Sequence, residues 1–566
     1  DVCSSDLTGT LTQNKMTIPR IYDGQAFYTV TGTGYSPVGD IFDGAGGIAN
    51  EAVRKLLECL LLCNDAVYTP ENESIIGDPT EAAMVVLAYK ADMAKADWEA
   101  KYPRLQEIPF DSTRKLMSTF HSIGGKTIMY TKGAPDELLR RCVSIEIGGK
   151  VEPLTEEKRQ EILAANMGFA EAALRVLGGA YREVDKITPS FEAENGLTFL
   201  GLVGMIDPPR EEAKAAIDVC KKAGIEVKMI TGDHKITATA IGRDLGIVEG
   251  DSMAVEGRSI SEMDDEQLRA CVKETNVFAR VSPEHKVRLV DAVRANGNIA
   301  AMTGDGVNDA PSLKHADIGI AMGITGTDVS KEAADMILTD DNFASIVRAV
   351  GEGRTIYANI RKVVGFLLSC NIGEILVIFL AMLLGWDVPL VAIQLLAINL
   401  ITDAFPAFAL GMEKEEAGVM ERAPRDPAEP IVDKRMSIAV CFQAVALAIG
   451  TLGSFAYGIY AHNDLEVART ACFLTLVLGE LLRAYSARSE KTSVFKMKVL
   501  ENGYLNNCVL ASLAFLIAVI YIPVLNPIFS TVPLTFDEMI VALLLAFVPM
   551  LGGELAKKFT VNMKTK

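Results

Sequence analysis

Hydrophobic residues follow two different patterns along the chain, and the pattern changes near residue 360. Before that point, short apolar runs such as Ile225–Ile230 and Ile318–Met322 alternate with helical stretches such as Arg210–Ala223. This alternation predicts an α/β unit in which strands and helices follow one another. After residue 360 the apolar runs lengthen, and most approach the roughly 20 residues that a helix needs to cross a bilayer.

Six long apolar runs predict an all-α bundle of six membrane-spanning helices: Phe366–Gly385, Ala392–Leu410, Ile438–Ala461, Thr470–Leu482, Leu505–Leu525 and Met539–Leu551. Fourteen Lys and Arg residues, with Arg483 counted among them, lie in alternate loops and in the tail, whereas the opposite loops hold only Arg469. Six buried core helices would not produce this alternation. The positive-inside rule therefore places both ends and the first part of the chain in the cytosol, at the plasma membrane if the source is bacterial.

Acidic side chains occur inside these apolar runs, where an ionised group is costly unless it meets a cation or a proton. Helical spacing predicts that amide and hydroxyl side chains share a face with two of the acids. Carboxylate, amide and hydroxyl oxygens together are the ligands of a hard cation, although any one acid alone could serve a structural hydrogen bond. Soft metals are not expected here, and Cys370 is expected to pack. The candidate ligands are Asn371, Glu374, Asn399, Thr402, Asp403 and Glu480.

Loops rich in acidic, hydroxyl and glycine residues stand at the ends of apolar strands in the first part. They are Ser5–Thr10, Thr231–Asp233 and Thr303–Asp309, together with Lys286 shortly after Arg280–Pro283. Chemistry collects at the carboxyl ends of strands in an open α/β sheet, and an Asp there can attack a phosphoryl group. By the same reasoning Asp305 and Asp309 could hold Mg²⁺, and Lys286 and Thr231 could neutralise the transferring group. A single T-G-D would fit an ordinary turn, but four such loops in this order point to phosphate chemistry.

Length, charge and cysteine content exclude several classes of protein. The chain has 566 residues, of which 49% are hydrophobic and 23% charged, so it holds several domains in which the two kinds of residue are segregated. A formal net charge of −18 argues against nucleic acid as the main partner. Ten cysteines without a C-x-x-C motif predict reduced thiols rather than a zinc site or a disulfide framework.

The motifs together resemble those of P-type cation-transporting ATPases, and most closely the calcium pumps of the sarcoplasmic-reticulum type and their bacterial relatives. The resemblance covers nearly the whole chain. It implies a haloacid-dehalogenase-like, Rossmann-like α/β phosphorylation domain at 1–22 and 204–344. An inserted α+β nucleotide-binding domain would occupy 23–203, followed by a stalk at 345–364 and the six-helix membrane domain at 365–560. The matching motifs are Asp6–Thr12, Gly77–Glu81, Lys132–Pro135, Asp207–Arg210, Thr231–Asp233 and Thr303–Asp309.

The resemblance also implies a role for each matching residue. Asp6 would be phosphorylated by ATP, and Asp6, Asp305 and the Thr8 carbonyl would bind Mg²⁺. Phe110 would stack on adenine, whereas Lys132 and Arg175 would meet the phosphates. Without the family, Phe110 would be interpreted as a core aromatic and Arg175 as a surface charge. The remaining residues of the phosphorylation pocket would be Thr231, Gly232, Asp233, Lys286, Asn308 and Asp309, and those of the nucleotide site Glu81, Lys115 and Arg210.

The function implied by the resemblance is ATP-driven transport of a cation through an aspartyl-phosphate intermediate. The segments Asn371–Glu374 and Asn399–Asp403 look like spans of the calcium pump, and Glu480 stands where that pump has a calcium-binding Glu. Calcium therefore leads over Mn²⁺, Na⁺ or H⁺, with one or two ions per cycle both open. The rival interpretations are a membrane-anchored phosphatase of the dehalogenase type and a passive channel or scaffold.

Two features depart from the family's pattern. Leu7 stands where the family has Lys in D-K-T-G-T, so phosphoryl transfer is expected to be impaired or abolished. No T-G-E motif occurs in the sequence. The family's actuator domain and first four spans have no counterpart in the part that the resemblance covers, so this chain is expected to be an inactive fragment. The opening Asp1–Leu7 also matches a translated sequencing adaptor, which predicts that native sequence begins at Thr8. The alternative is a genuine substitution in a degenerate pump.

Overall fold

The structure is a computed structural model that describes residues 2–6, 11–12, 15–69, 74–111, 113–172, 174–187, 189–248, 250 and 252–560, with the backbone alone for residues 2–6 and 211. The chain divides into two compact units. The first unit comprises residues 1–347 and 420–424, and the second comprises residues 348–419 and 425–566. Each unit has its own hydrophobic core.

All the described strands lie in the first unit. In chain order they are β1 (Val2–Asp6), β2 (Thr17–Tyr22), β3 (Phe27–Val30), β4 (Ile41–Phe42), β5 (Val67–Thr69), β6 (Ser74–Ile76), β7 (Arg104–Asp111), β8 (Leu116–Ile123), β9 (Lys126–Gly133), β10 (Cys142–Ile147), β11 (Lys150–Pro153), β12 (Arg175–Val184), β13 (Leu197–Ile206), β14 (Glu226–Ile230), β15 (Val255–Glu256), β16 (Val277–Ala279), β17 (Ala300–Gly304), β18 (Ile318–Met322) and β19 (Met336–Leu338).

The helices of the first unit lie between these strands. They are α1 (Asn50–Leu62), α2 (Pro79–Lys90), α3 (Lys95–Lys101), α4 (Pro135–Arg141), α5 (Glu156–Glu171), α6 (Glu211–Lys222), α7 (Lys235–Asp244), α8 (Gly257–Glu262), α9 (Asp265–Glu274), α10 (Pro283–Ala295), α11 (Ala310–His315) and α12 (Asp328–Ala333). The predicted strands at Ile225–Ile230 and Ile318–Met322 and the predicted helix at Arg210–Ala223 are confirmed by β14, β18 and α6.

One sheet is entirely parallel and has seven strands in the order β15-β16-β14-β1-β17-β18-β19. Its core packs Ile230, Phe278 and Met302 of the strands against Leu268 of α9 and Leu289 of α10. Parallel strands need helical crossovers, which is why helices alternate with strands after residue 210. The sheet places β1 at its centre, between β14 and β17.

The other large sheet has ten strands and is mostly antiparallel, with the path β4-β3-β2-β13-β12-β9-β8-β7. Strand β10 pairs with β13 in parallel, and β11 pairs with β10. Neighbouring residues of a strand point to opposite faces, so Ile21 joins the core beneath α1 and α2 while Tyr22 joins the core beneath α4 and α5. Strand β2 pairs with β13, so this sheet begins at Thr17 in the sequence.

The second unit is helical. The helix α13 (Phe343–Leu383) has 41 residues and begins in the first unit. The others are α14 (Ala392–Ala397), a π-helix at Ile398–Asp403, α15 (Ala404–Gly411), α16 (Lys434–His462), α17 (Leu465–Ala487), α18 (Gly503–Tyr521), α19 (Asn526–Phe529) and α20 (Phe536–Thr560). The segments α14, the π-helix and α15 follow one another without a break, so Ala392–Gly411 counts as one span.

Five helices of the described residues are long and apolar enough to cross a membrane: Phe343–Leu383, Ala392–Gly411, Lys434–His462, Gly503–Tyr521 and Phe536–Thr560. They contain most of the first, second, third, fifth and sixth predicted runs. The fourth run lies in α17, which has 23 residues and includes Glu466, Arg469, Glu480 and Arg483. The prediction of a sixth span therefore stays a prediction. The sequence analysis counted Arg483 among the loop cations, and that assignment is wrong. Arg483 lies within α17 and is 1% exposed.

Small residues allow the helices of this bundle to approach closely. A Cβ added at Gly458 of α16 would lie 2.4 Å from the Cα of Ala468 in α17. A Cβ added at Gly373 of α13 would lie 2.5 Å from the Leu447 side chain of α16. Close approach through small residues is the common way in which apolar helices gain packing contacts in a bilayer.

A buried ion pair in the ten-stranded sheet provides a test of its packing. The Arg114 guanidinium lies 2.5 Å from Glu194, whose side chain is fully buried, and Ser118 donates to the same carboxylate. We expect Glu194→Gln to lower the free energy of unfolding by about 3 kcal/mol, because it leaves the Arg114 charge buried without its partner.

The measurement is urea unfolding of the full chain in detergent, in a Trp386→Phe background, so that Trp98 alone reports on this sheet. The matched control is Glu183→Gln, which removes an ion pair with Lys126 in which both side chains are at least half exposed. That variant should cost at most about 1 kcal/mol. Equal destabilisation by the two variants would contradict the interpretation.

Candidate functional site

The carboxyl ends of three adjacent parallel strands meet at one edge of the seven-stranded sheet. Asp6, the last residue of β1, lies opposite Ile230, the last residue of β14. On the other side β1 pairs with β17, which ends at Gly304. Thr231 and Asp305 therefore begin two loops beside the end of β1, as the sequence predicted for a phosphate site. The side chain of Asp6 and the whole of Leu7 and Thr8 lie outside the described residues.

Main-chain hydrogen bonds fix the Thr231 loop. The Thr231 amide donates to the Phe278 carbonyl at 2.9 Å, and the Thr231 carbonyl accepts from the Val281 amide at 3.0 Å. The Thr231 side chain is buried, and its hydroxyl accepts from the Asp233 amide at 3.1 Å. Gly232 and Asp233 are exposed, and among the described residues no atom lies within 4 Å of a Cβ added at Gly232. The loop thus exposes its backbone at Gly232, while the Thr231 side chain beside it is buried.

Lys286 and Asp309 form a buried ion pair beside this loop. Lys286 Nζ donates to Asp309 Oδ1 at 2.7 Å, and both side chains are less than 10% exposed. The other oxygen, Oδ2, accepts from the amides of Asp305 at 3.2 Å and Gly306 at 3.0 Å. A Cβ added at Gly304 would lie 2.4 Å from the Asp309 Cβ, so only glycine permits this return of the loop.

This arrangement gives Asp309 a structural role. The residues alone suggested Asp305 and Asp309 as a pair of Mg²⁺ ligands, which stays a prediction, and the structure shows that both Asp309 oxygens accept hydrogen bonds from Lys286 and the loop amides. Asp309 therefore holds Lys286 and the loop in place. The Asp305 carbonyl accepts from the Thr327 amide at 2.8 Å, which fixes the start of the same loop. Asn308 is exposed.

The position of Lys286 depends on the start of α10. Ser282 caps this helix, and the Ser282 side chain and His285 form a reciprocal capping box. Pro283 at the first helical position suits the fixed φ of proline. The pKa of His285 is lowered by partial burial and by the positive charge of Arg288, so this neighbour of Lys286 adds no charge at neutral pH.

The residues predicted to meet nucleotide gather at one edge of the ten-stranded sheet. Strand β7 ends and β8 begins there, since Asp111 pairs with Leu116. Strand β9 ends beside them, since Gly133 pairs with both Leu116 and Gly178 of β12. This register brings four predicted residues to the same edge: Phe110, Lys115, Lys132 and Arg175.

The side chains at this edge differ in exposure and bonding. Lys132 is buried and its Nζ lies 2.5 Å from Glu81 Oε1. Phe110 is 63% exposed, which is high for a phenylalanine. Lys115 is exposed and has a φ of 56°. Arg175 is exposed, and its guanidinium donates to the Thr80 hydroxyl at 3.4 Å.

The local sequence explains why Glu81 reaches this edge. Asp78 caps α2 by accepting from the Thr80 amide at 2.8 Å, and Pro79 occupies the first helical position. A Cβ added at Gly77 would lie 2.8 Å from the Cα of Ala66, so glycine is needed where the chain enters the helix. Glu81 then lies in the first turn of α2, where it also accepts from the Asp65 amide at 3.1 Å.

Arg210, the remaining residue predicted to meet nucleotide, contacts the chain at residues 11 and 12. Its Nε donates to the Thr12 carbonyl at 3.0 Å, and its amide donates to the Leu11 carbonyl at 2.9 Å. The Thr12 hydroxyl donates to Asp207, which also accepts from the Lys15 amide at 3.1 Å. The D-P-P-R segment thus binds the chain that leads from β1 to β2.

In the second unit, three buried groups lie together: the Cys370 thiol and the carboxylates of Asp403 and Glu480. One ligand atom from each lies within 4.8 Å of the other two. Both oxygens of Asp403 and both of Glu480 are buried and have no hydrogen-bond partner among the described residues. The helices α13 and α17 and the π-helix bring these groups together, and π-helical turns are frequent at functional sites.

The other predicted cation ligands differ in burial and in hydrogen bonding. Glu374 is buried, and Asn399 donates to its Oε2 at 3.0 Å. Thr402 is buried and donates to the Ile398 carbonyl at 3.0 Å. Asn371 is exposed and donates to the Leu367 carbonyl of its own helix, so it does not share the buried face of Glu374 as expected. Residues three apart on a helix differ by about 60° in direction, enough to leave one at the margin of a face.

The sequence analysis missed Arg483, which is fully buried one turn after Glu480. Its guanidinium donates to Gln443 at 2.7 Å, to the Phe366 carbonyl at 2.8 Å and to Cys370 Sγ at 3.0 Å, and it also donates to Ser369. The i, i+3 spacing of Glu480 and Arg483 was the available signal, but an arginine near the end of an apolar run was interpreted as a loop cation.

Comparison with known proteins shows which families and relatives this chain resembles. Residues 52–212 match the family described as P-type ATPase, cytoplasmic domain N, and residues 387–559 match Cation transporting ATPase, C-terminus. Calcium-transporting ATPase 1 of Bacillus cereus is 44% identical over 573 residues, which cover 98% of this chain and 63% of that protein. Calcium-transporting ATPase of Bacillus subtilis is 43% identical, with the same two coverages.

A human relative, Calcium-transporting ATPase type 2C member 1, is 38% identical over 568 residues, which cover 99% of this chain and 60% of that protein. The chain therefore spans about three fifths of the length of the curated relatives it matches. The two family matches lie in both units, and the relatives align along almost the whole chain. The chain belongs to the P-type ATPase family and resembles the calcium-transporting members of that family.

Proposed function

We propose that this chain is part of an ATP-driven calcium transporter that works through an aspartyl-phosphate intermediate. The observation that carries the proposal is the group of buried carboxylates in the second unit, Asp403 and Glu480, whose four oxygens have no partner among the described residues. A simple membrane anchor or a passive scaffold has no use for such costly groups. The names of the relatives support calcium as the cargo.

In the proposed reaction of the whole transporter, a carboxylate oxygen of the aspartate at the Asp6 position attacks the γ-phosphorus of ATP, a step that Leu7 is expected to impair or abolish in this chain. A new P–O bond forms to Asp6, and the bond from the γ-phosphorus to the β,γ-bridging oxygen breaks with its electron pair, so ADP leaves. Lys286, held by Asp309 at 2.7 Å, would face the charge that develops on the phosphoryl oxygens. Thr231, Gly232, Asp233 and Asn308 complete the proposed pocket, and the exposed Gly232 backbone leaves room for the phosphoryl group.

Mg²⁺ would bind at Asp6, Asp305 and the Thr8 carbonyl, where it would neutralise phosphate oxygens. Oxygen ligands at the edge of a parallel sheet suit this hard cation, and Asp305 lies at the required edge. The Asp309 hydrogen bonds keep the Asp305 backbone in place, and the Lys286 ammonium supplies positive charge on the same side of the loop.

ATP would bind at the edge of the ten-stranded sheet. The exposed ring of Phe110 is free to stack on adenine, and Lys132 and Arg175 would meet the phosphates, with Glu81 orienting Lys132. Lys115 would also contact the nucleotide. Arg210 would act indirectly, through its hydrogen bonds to residues 11 and 12.

The proposed domain arrangement follows from these assignments. The seven-stranded sheet would be the haloacid-dehalogenase-like phosphorylation domain, and the ten-stranded sheet the inserted nucleotide-binding domain, with 23–203 as its approximate extent. Residues 345–364 of α13 would be the stalk, and 365–560 would form six spans with α17 as the fourth. Both ends and the first unit would lie in the cytosol, as the loop charges indicate.

Lys132 offers a test of the nucleotide site. We expect Lys132→Met to weaken ATP binding at least tenfold, because a charge-assisted hydrogen bond to phosphate contributes roughly 1.5–3 kcal/mol. The measurement is isothermal titration of the full chain with ATP. The control is Lys126→Met, which changes an exposed lysine at the opposite end of the same strand. A loss confined to Lys126→Met, or equal losses, would contradict the site.

Asp403 offers a test of the cation site. We expect Asp403→Asn to weaken Ca²⁺ binding by the full chain in detergent at least tenfold, because it removes a negative charge without changing the side-chain volume. The measurement is equilibrium dialysis with radioactive Ca²⁺. The control is Asp387→Asn, an exposed carboxylate between α13 and α14. If Asp403→Asn binds Ca²⁺ as the parent chain does, the cation site is wrong and an anchored phosphatase becomes the better interpretation.

A further inference from the structure

Cys370 stands among the proposed cation ligands, although the sequence alone favoured a packing role for it. Its Sγ lies within 4.8 Å of a carboxylate oxygen of Asp403 and of Glu480, and all three side chains are buried. The neighbouring carboxylate oxygens have no hydrogen-bond partner among the described residues. A sulfur atom and unpartnered carboxylates in one buried place form a mixed soft and hard donor set.

We propose that Cys370 is a metal ligand and that this site also binds thiophilic divalent cations such as Cd²⁺ and Zn²⁺. The ligands would be Cys370, Asp403 and Glu480. The inference rests on the proposed cation site and adds a second class of ion to it. Carboxylates alone favour Ca²⁺ or Mg²⁺, whereas a cysteine sulfur favours softer metals.

The separations suit a single ion. With metal–sulfur and metal–oxygen bonds of about 2.3 and 2.0–2.2 Å, three ligands of one tetrahedral zinc ion lie about 3.4–3.8 Å from one another. The three ligand atoms lie within 4.8 Å of one another, so modest shifts would bring them onto one ion, and a larger ion such as Cd²⁺ needs less movement. The three ligands come from α13, the π-helix and α17, so closure on an ion requires only small shifts of packed helices.

Arg483 provides both contact and charge at the site. Its Nη2 donates to Cys370 Sγ at 3.0 Å, while Gln443 and the Phe366 carbonyl hold the rest of the guanidinium. With a thiolate at Cys370, the three ligands and Arg483 sum to two negative units, which one divalent cation neutralises, and Glu374 is a further acidic residue beside them. The thiol proton leaves to solution as the metal binds, as at other cysteine metal sites.

The chain contains a matched control cysteine. Cys472 lies on α17, two turns before Glu480, and is 0% exposed, like Cys370. It belongs to an apolar core with Phe473 and Leu476 and is not part of the acidic group. Substitution at Cys472 therefore changes a buried thiol of the same bundle without changing the donor set.

The experiment is a Cd²⁺ titration of the full chain in detergent, followed by the ultraviolet sulfur-to-metal charge-transfer band. Cys370→Ser and Cys472→Ser are compared with the parent chain. We expect Cys370→Ser to remove one saturable component of the band and to weaken Cd²⁺ binding at least tenfold. We expect Cys472→Ser to retain both. Undiminished binding and band in Cys370→Ser would overturn the proposal.

Parallel Ca²⁺ dialysis separates this inference from the proposed function. If the parent chain binds Ca²⁺ through Asp403 but shows no Cd²⁺ band that depends on Cys370, the inference alone fails. If Asp403→Asn alters neither Ca²⁺ nor Cd²⁺ binding, the proposed cation site fails with it. In the supporting result, Cys370→Ser weakens Cd²⁺ binding more than Ca²⁺ binding, because the serine hydroxyl replaces sulfur by a hard oxygen donor.

A measurement on the parent chain covers the case in which Cys370→Ser does not fold. X-ray absorption at the cadmium edge, with one Cd²⁺ per chain, reports the atoms bound to the metal. We expect one sulfur neighbour together with oxygen neighbours. A shell made of oxygen alone, or of several sulfur atoms, would overturn the proposal, because the first excludes Cys370 and the second places the metal at other cysteines.

Discussion

The second unit depends on one constraint: ionisable side chains are held among apolar helices, where water cannot solvate them. A buried charge is costly unless it is paired or binds an ion, and the cost rises as the surroundings become less polar. Arg483 meets this constraint through contacts with Gln443, Phe366 and Cys370. Asp403 and Glu480 do not meet it within the described protein atoms, which is the basis for the proposed cation site.

The first unit also contains buried charged side chains, and these form ion pairs. Lys286 and Asp309 are buried at the edge of a parallel sheet, but each is satisfied by the other and by loop amides. Lys132 and Glu81 form a comparable pair at the edge of the ten-stranded sheet. Such pairs keep long side chains in one orientation, as the proposed phosphate contacts of Lys286 and Lys132 would require. The second unit also contains a largely buried pair between Arg488 and Glu413, so the unpartnered Asp403 and Glu480 stand out within it.

Much of the fold could be predicted from the sequence because local pattern determines it. Strands β14 and β18 are short apolar runs bounded by glycine and polar residues, and their limits were predicted to within one residue. The Thr231 and Asp305 loops were predicted to meet because carboxyl ends of parallel strands share an edge. The ten-stranded sheet was not predicted in detail, because its pairing of β2 with β13 joins residues about 180 positions apart in sequence.

The candidate sites were predictable in composition but not in geometry. Motif spacing identified Lys286 and Asp309, yet the sequence did not show that these two residues, 23 positions apart, form a buried ion pair. Cys370 and Arg483 carried no motif, so only the packing of α13 against α17 shows that they adjoin the acidic group. The prediction that Asn371 shares the buried face of Glu374 was wrong, because helical spacing alone does not distinguish the centre of a helix face from its margin.

The π-helix at Ile398–Asp403 has a consequence for the phase of the span that contains it. A π-helical turn closes its hydrogen bonds one residue later than an α-helical turn, so it inserts an extra residue into the periodic order of side chains. Residues of α14 and residues of α15 therefore follow two helical wheels that are offset by about 100°. A single wheel drawn through Ala392–Gly411 would assign lipid-facing and bundle-facing positions correctly on one side of the π-helix and wrongly on the other.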